Sequence, residues 1–501
     1  MHERELKLLP RPGFTLGDLR GLVDGLEPGP VEVVETEAVY HDTPDLRLTR
    51  AGASLRHRSD EGWVVKLPTE AVEPLLVRAE HRFPGPPGEP PAAAVDLVRA
   101  LVRRAPLRPV IRLRTRRHRV RLYRPDAGPA LEVTDDDVLV VDDGRITGGF
   151  RELEIEVLEA GNASLAAEAA HALAARGGNG GGTPLPKVAR ALGFTGPPEP
   201  EIPVPHLGAD ATVAALVRAA IAASVRRLIF HDPGVRLGGD PEFVHQARVA
   251  TRRLRSDLRT FRPVLDAAWA DRLRDELAWL GAELGVVRDT EVLLELLEAR
   301  AAELPPDARP VAASVTAGLG RRWHTEREAL GRALRTERYL TLLDHLVEAA
   351  RNPAVQVPDA DRPAVGLVRL VRRPWRRLRR AVAALDEEPP DEALHRVRIL
   401  AKRARYAAEA VVAVAGADAR RFARAAARLQ DVLGRHHDAV VARAYLHGEL
   451  DRHPTPADAY ALGMLAGLVL AEERAARRAW PDAWARLGRP RLRRWMRAGT
   501  P

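Results

Sequence analysis

The chain has 501 residues, 46% of them hydrophobic, and a formal net charge of +9. This length exceeds one ordinary hydrophobic core, so two or three domains are expected. The absence of cysteine excludes disulfides, thiolate metal ligands and a cysteine nucleophile. Since no apolar run is long enough to span a bilayer and no leader pattern opens the chain, we expect a soluble cytoplasmic protein without a membrane partner.

The first third of the chain is predicted to be mostly antiparallel strands, because short alternating segments are bounded by Gly, Pro and Asp turns. The candidate strands are 2–9, 36–42, 53–59, 62–68, 75–82, 110–123, 129–141 and 144–158, with short helices at 15–26, 92–104 and 163–176. Eight such strands suit a closed barrel, in which side chains alternate between interior and exterior along every strand.

Charged residues recur at every second position of these strands, which places them on one face. This set is Glu3, Glu5, Lys7, Arg56, Arg58, Lys66, Arg78, Glu80, Arg112, Arg114, Arg116, Glu132, Glu152, Glu154 and Glu156. The alternate residues Leu6, Leu113, Leu153 and Ile155 would form an apolar outer face. Charge at this density is tolerable inside only where the lumen is wet and the charges are paired or bound to ions. Arg and Lys would bind the oxygens of a phosphate chain while carboxylates hold Mg²⁺ or Mn²⁺ against it.

A Pro-rich linker at 196–207 is predicted to separate a domain at 1–195 from a helical domain at 208–501. Residues 1–195 carry 27 Lys and Arg against 29 Asp and Glu, a net of −2, so the rest of the chain carries the basic excess of +11. Beyond the linker, Ala-, Leu-, Arg- and Glu-rich segments have helical periodicity and are broken at prolines, beginning with Pro233.

An internal repeat predicts two related helical bundles, at about 208–350 and 360–498. One motif, His-x-x-Arg-x-x-x-[Arg/Lys]-Arg-x-Arg, occurs twice at a shift of 150 residues. Its copies are His245, Arg248, Arg252, Arg253, Arg255 and His395, Arg398, Lys402, Arg403, Arg405. A second motif, Leu-Gly-x-x-[Arg/His]-Asp, ends at Asp289 and again at Asp438. These aspartates are expected to cap a helix or to pair with an Arg.

On helices, the two basic motifs become stripes that could line one groove from both sides. A flexible chain of phosphates fits such a groove. Nucleic acid is disfavoured as a partner, because no helix-turn-helix pattern is recognisable and only 4% of residues are aromatic, which leaves little surface for base stacking. The adjacent His436 and His437 are weak evidence for a metal site and carry no assignment.

The N-terminal blocks resemble those of the CYTH domain, a member of the triphosphate tunnel metalloenzymes. The matching blocks are Glu3-x-Glu5-x-Lys7, residues 40–46 followed by Leu55-Arg56-x-Arg58, Trp63-Val64-Val65-Lys66-Leu67, and Glu152-x-Glu154-x-Glu156. This resemblance implies an eight-stranded tunnel that hydrolyses or cyclises triphosphates with a divalent metal.

By the same resemblance, Glu3, Glu5, Glu154 and Glu156 would be metal ligands. The triphosphate would be bound by Lys7, Arg56, Arg58, Lys66, Arg114 and Arg116, with Arg117 or Arg119 as the alternatives if the register of the sixth predicted strand differs. Catalysis is assigned to Glu3, Glu5, Lys7 and Glu154, through metal-bound water helped by a carboxylate or by Lys7.

The second half resembles a CHAD domain, a helical domain of two four-helix bundles, and the resemblance rests on both copies of the two motifs. It implies polyphosphate binding by the ten motif residues. The predicted fold is therefore α+β: an antiparallel β tunnel followed by two four-helix bundles related by a pseudo-twofold axis.

The predicted function is metal-dependent hydrolysis of inorganic triphosphate coupled to polyphosphate binding, with association with polyphosphate granules as a further expectation. Two alternatives stay open. One is a polyanion-binding protein without catalysis. The other is a tunnel enzyme acting on an organic triphosphate, as an adenylate cyclase or a thiamine triphosphatase.

Overall fold

The computed structural model describes residues 2–69, 75–125, 127–179, 185–208, 210–452 and 455–497. The chain forms two compact units, Met1–Glu201 and Ile202–Pro501. The first is built on strands, and the second on helices.

The first unit is organised around one antiparallel sheet. Its strands are β1 (His2–Leu8), β2 (Glu27–Pro28), β3 (Glu32–Asp42), β4 (Ser54–Arg58), β5 (Gly62–Pro68), β6 (Leu76–Phe83), β7 (Arg108–Arg124), β8 (Gly128–Asp142) and β9 (Arg145–Val157). Their order is β7-β3-β4-β5-β6-β1-β9-β8, and β8 pairs back with β7, so eight strands close into a barrel. The short β2 adds to the end of β7. The predicted eight-stranded antiparallel barrel is confirmed.

Short helices accompany the barrel: α1 (Arg47–Arg50), α2 (Ala92–Leu97), α3 (Arg99–Val102), α4 (Ala163–Leu173), which continues as a π-helix at Ala174–Gly178, and α5 (Lys187–Ala191). The helix predicted at 15–26 is wrong, and this segment consists of turns. Gly17, Gly21 and Gly25 adopt φ values of 62°, 63° and 70°. Left-handed residues at this spacing interrupt every turn of a right-handed helix.

One apolar cluster of this unit packs on the outside of the barrel wall. Leu6, Leu153 and Ile155 belong to a cluster that packs against α4 and against Leu19, Leu22 and other side chains of the 14–26 segment. The predicted outer apolar face is therefore confirmed for β1 and β9. Leu113 of β7 instead packs with Ala38 and Tyr40, which shows that the alternation of β7 was assigned to the wrong face.

The described residues of the second unit form ten α-helices: α6 (Val213–Leu237), α7 (Pro241–Phe261), α8 (Ala267–Ala301), α9 (Arg309–Ala333), α10 (Glu337–Arg351), α11 (Val357–Ala360), α12 (Arg372–Ala383), α13 (Asp391–Ala410), α14 (Val412–Glu449) and α15 (Pro456–Leu487). Short 3₁₀ turns occur at Arg262–Val264, Ala364–Val371, Leu450–Arg452, Pro490–Leu492 and Arg494–Arg497. The predicted break at Pro233 is wrong, since α6 runs through this buried proline to Leu237. None of the described helices is long and apolar enough to cross a bilayer.

The repeated motifs occupy corresponding helices. The two His-x-x-Arg motifs lie on α7 and α13, and the two Leu-Gly motifs lie on α8 and α14. Asp289 and Asp438 are inside α8 and α14 rather than at helix starts. Asp289 is instead paired with Arg248, 2.8 Å away, so the predicted pairing with a motif arginine is confirmed there.

Asp42 holds the connection from β3 to α1, in the block that resembles the CYTH domain. Its carboxylate is 1% exposed and accepts hydrogen bonds from the backbone N–H groups of Thr43 (2.7 Å), Leu48 (2.9 Å) and Thr49 (2.9 Å), and from the Thr49 hydroxyl (2.8 Å). These bonds support a turn in which Leu46 has a left-handed φ of 57°.

Replacing Asp42 by Ala should lower the free energy of unfolding of the barrel by about 3 kcal/mol, because several buried donors lose a charged acceptor. Asp42→Asn is the matched control and should cost less, since its amide oxygen still accepts. Denaturant unfolding of the full chain measures both. Equal stability of Asp42→Ala and the wild type would contradict this role.

Candidate functional site

The lumen of the barrel holds opposite charges in direct contact. Glu5 and Lys7 of β1 are 2% and 9% exposed. Arg78 donates to Glu5 at 2.6 Å, and Lys66 donates to Glu3 at 2.6 Å. Lys7 donates to Glu152 at 3.1 Å and also contacts Glu154. The structure therefore brings the predicted residues of β1, β5 and β9 together inside the barrel, with Arg78 of β6 among them.

A pocket opens onto this charged wall and contains about 430 Å³ of space, part of it open to solvent. Arg56 lines it and donates to the Tyr40 hydroxyl at 3.1 Å. Arg58 also reaches the pocket, while its guanidinium pairs with Asp60 at 2.6 Å and with Glu61 at 2.5 Å in the β4–β5 turn. The polar residues that line this pocket are Glu3, Lys7, Tyr40, Ser54, Arg56, Arg58, Lys66, Arg78, Arg117, Glu154 and Lys187.

The assignment of Arg114 and Arg116 to the lumen is wrong. Both are exposed, and Arg114 pairs with Glu37 on the outer surface at 3.1 Å. Because Leu113 is buried inside, the odd-numbered residues of β7 face the lumen. Arg117 consequently points inward and pairs with Asp136 at 2.7 Å and with Glu154 at 2.9 Å. Arg119 lines the adjoining part of the pocket.

Two lumen residues were not predicted. Asp136 of β8 is fully buried. Lys187, the first residue of α5, inserts its ammonium among Asp136 (2.8 Å), Glu152 (2.9 Å) and Glu154 (2.8 Å). Lys187 is one of only four lysines in the chain, and this rarity was the available signal. Its segment lies beyond the last strand, so strand alternation could not identify it.

Asp136, Glu152 and Glu154 form a carboxylate cluster. One oxygen from each lies within 4.8 Å of the others. Carboxylate oxygens in this arrangement fit a hard divalent cation such as Mg²⁺ or Mn²⁺. Of the predicted metal ligands, Glu154 is in this cluster. Glu3 and Glu5 lie beside it on β1, held by Lys66 and Arg78.

The lumen charges shift each other's pKa values in opposite directions. Burial alone would raise the pKa of Glu3, but Lys66 and Arg78 lower it to about 2. Burial would also raise the pKa of Glu154, but Lys187, Lys7 and Arg117 hold it well below its usual range. Burial raises the pKa of Glu156 to about 7, and the carboxylates of Glu3 and Glu132 add to the rise. Glu156 therefore differs from Glu3 and Glu154 by titrating near neutral pH.

In the second unit the two basic motifs crowd together. Burial, with Arg252, Arg398 and Arg248 nearby, lowers the pKa of Lys402 to about 8. The Nε groups of Arg252 and Arg398 are buried without a hydrogen-bond partner. Positive charges brought together in this way favour a bound anion. Each cation makes the charged form of its neighbours less favourable, and an anion bound between them removes this repulsion.

Not every predicted motif residue belongs to this cluster. Arg253 and Arg405 both pair with Glu409, at 2.9 and 2.8 Å. His395 Nδ1 instead lies 3.2 Å from His437 Nδ1.

The cationic surface also extends beyond the prediction. Burial and the neighbouring Arg403, Arg274, Arg255 and Arg377 lower the pKa of Arg259 to about 10. His245 lies at the other end of the α7 motif, where burial lowers its pKa.

The closed barrel, lined by paired carboxylates and cations, has the form expected of a triphosphate tunnel enzyme. Residues 1–179 match the CYTH domain and residues 219–447 match the CHAD domain. Two Mycobacterium tuberculosis proteins, named uncharacterized protein MT2285 and uncharacterized protein Rv2226, are each 33% identical over 442 residues, which is 82% of this chain and 82% of theirs. The chain belongs to the CYTH–CHAD family.

Solved structures similar to parts of the chain were also found. The CHAD domain of the plant Ricinus communis is 28% identical, with a TM-score of 0.46, over 57% of this chain and 95% of that one. PptA from Streptomyces chartreusis is 28% identical, with a TM-score of 0.44, over 55% and 100%. A putative adenylate cyclase from Bacillus halodurans is 17% identical, with a TM-score of 0.24, over 38% and 96%.

Glu156 should make the metal-free barrel less stable as pH rises. Its folded pKa of about 7 lies above the ordinary value of 4.5, so its contribution is complete below pH 4.5 and is lost as pH rises through 7. Glu156→Gln should remove this loss, worth at most about 3 kcal/mol. Melting temperatures measured across this range in chelator would test it, and parallel profiles for the two proteins would contradict it.

Proposed function

We propose that the barrel is a metal-dependent inorganic triphosphatase and that the helical unit binds polyphosphate. The observation that supports the first part most directly is the ring of lumen cations facing the carboxylate cluster. Lys7, Arg56, Lys66, Arg117 and Lys187 line one pocket with Glu3 and Glu154. A phosphate chain supplies the oxygens that these cations bind.

An inorganic substrate is favoured by the composition of the pocket wall. Tyr40 is the one aromatic residue among the lining of the two adjoining lumen pockets in the described part of the chain. Its hydroxyl accepts from Arg56. A nucleobase or thiazolium ring would find little stacking surface there. An organic triphosphate remains the alternative substrate, and comparing hydrolysis of tripolyphosphate, ATP and thiamine triphosphate distinguishes them.

The residues divide the work of hydrolysis by charge. Asp136, Glu152 and Glu154 would hold the divalent metal in place of the Lys187 ammonium, which now contacts all three carboxylates and would turn to the phosphate chain. When bound, the metal would neutralise charge on the phosphate oxygens. The lumen cations orient the chain and stabilise the leaving diphosphate. Water attacks the terminal phosphorus, the bridging P–O bond breaks, and phosphate and diphosphate leave.

The proton of the attacking water requires a basic group. Although burial opposes it, Glu152, Glu154 and Glu5 raise the pKa of Lys7, so Lys7 stays protonated and binds phosphate rather than accepting a proton. Glu156 lies two residues from Glu154 on the same face of β9, and its pKa is near neutral, so we assign it the role of proton acceptor.

Arg117 and Arg116 are adjacent residues on opposite faces of β7, which makes them a matched pair. Arg117→Ala should lower kcat/KM for tripolyphosphate roughly ten- to a hundredfold, because a charge-assisted contact to phosphate is lost. Arg116→Ala should leave it unchanged. Phosphate release with Mg²⁺ or Mn²⁺ measures both, after circular dichroism has established folding. Loss in Arg116→Ala with activity retained in Arg117→Ala would reverse the proposed register.

The enzymatic proposal itself depends on metal and carboxylates. Glu5→Ala should abolish phosphate release, since it removes the carboxylate that lies 2.6 Å from Arg78 and 3.7 Å from Lys7 and so unbalances the charges of the lumen. If the wild-type protein releases no phosphate with any divalent metal, the enzymatic proposal is wrong. Retention on polyphosphate in that case would support the alternative of a binding protein without catalysis.

For the helical unit, polyphosphate affinity should fall as pH rises through about 8, because Lys402 loses its proton there and only the ammonium attracts the anion. Lys402→Arg should abolish this decline, since a guanidinium stays charged. Lys402→Ala should weaken binding and flatten its salt dependence, as fewer counterions are displaced. Arg253→Ala is the control, because Arg253 is already paired with Glu409. An identical pH profile for Lys402→Arg and the wild type would contradict the proposal.

A further inference from the structure

Three side chains of metal-ligand type converge where α13, α14 and α15 meet, one helical turn before the basic motif of α13. Asp391 is the first residue of α13, His436 lies within α14, and Glu473 lies within α15. One ligand atom from each lies within 4.8 Å of the others. His436 is 2% exposed and Glu473 7% exposed, so the imidazole and one carboxylate are nearly removed from solvent.

The buried imidazole is only weakly satisfied by the protein. Its Nε2 atom points at the cluster and lies 3.2 Å from an oxygen of Asp391, in a geometry that falls short of a well-formed hydrogen bond. A buried polar atom left in this state costs free energy unless a ligand completes it. Neutral imidazole nitrogen and carboxylate oxygen are the donors that Zn²⁺ and similar cations accept.

The internal repeat shows that the fold does not require a histidine here. Aligning Leu284-Gly285 with Leu433-Gly434 places Val287 opposite His436. Val287 is fully buried and fills the same position in α8 with an apolar side chain. The first repeat begins the helix that corresponds to α13 with Pro241 rather than an aspartate. The cluster is therefore a feature of the second repeat alone.

Two arginines currently neutralise the carboxylates. Arg477 donates to Asp391 at 2.6 Å, and Arg443 donates to Glu473 at 3.0 Å. Their side chains are 32% and 35% exposed, so both guanidiniums can turn toward solvent when a cation enters. Asp391 is itself 29% exposed, which gives the cation a route of entry.

We propose that Asp391, His436 and Glu473 bind a divalent transition-metal cation of the zinc class, with the fourth position open to water. Arg443 and Arg477 occupy the carboxylates in the absence of the metal and compete with it. This proposal rests neither on the proposed hydrolysis nor on polyphosphate binding, so the three can be tested separately.

The experiment is a calorimetric titration of the full chain with Zn²⁺ in excess Mg²⁺, which occupies the oxygen-rich cluster of the barrel. The wild-type protein should bind one Zn²⁺ more than His436→Val, a variant that copies Val287 of the first repeat and should fold normally. Arg477→Gln should bind this Zn²⁺ roughly tenfold tighter, because its competitor is removed.

Cobalt provides a second readout, since Co²⁺ bound with one imidazole and two carboxylates has a visible d–d band that His436→Val should lack. Glu473→Gln should lose the same band while keeping His436, which separates loss of a ligand from loss of a packed histidine. Equal Zn²⁺ stoichiometry for the wild type and His436→Val, or unchanged affinity in Arg477→Gln, would overturn the proposal.

Discussion

The barrel depends on the direct contact of opposite charges in its lumen. Lys7, Lys187 and Arg117 converge on Glu154, and each of these groups would be prohibitively costly to bury alone. Together they hold the carboxylate ionised and the amines protonated, as the shifts of their pKa values show. Because charged side chains fill the lumen, apolar side chains of these strands lie on the outer face of the wall, where α4 and the 14–26 segment cover them.

The sequence was sufficient for the barrel because two-residue alternation and tight turns are local signals. The turn at Asp142-Asp143-Gly144 joins β8 to β9, at the boundary between the strands predicted at 129–141 and 144–158, with left-handed φ values of 44° and 77° at its last two residues. The charges of β7 do not determine which of its faces points into the lumen, because arginine occurs at both odd-numbered and even-numbered positions from Arg112 to Arg119. The apolar residue Leu113 decided it by packing inside with Tyr40. Tertiary packing therefore supplied what the charge pattern left open.

Lys187 and Asp136 show a different limit of sequence reasoning. Asp136 lies in a run of three aspartates, Asp135 to Asp137, of which only the middle one reaches the carboxylate cluster. Lys187 comes from a short helix after the barrel, and its position depends on how that helix packs against β7. A local pattern cannot place a side chain that arrives from another element. The internal repeat, in contrast, was identifiable because its two copies preserve spacing along single helices.

The two units differ in how their charges are balanced, and this difference determines what each can bind. Lumen cations are paired with carboxylates within the barrel. An anion alone would take the cations away from these carboxylates and leave the carboxylates without a partner. A divalent cation entering with the phosphate chain satisfies both signs at once. Lys402, Arg252 and Arg398 are instead close to one another, and burial together with their mutual repulsion lowers the pKa of Lys402. An anion without a metal would relieve that repulsion, which supports the proposals of a bound phosphate polymer for the helical unit and a metal-complexed substrate for the barrel.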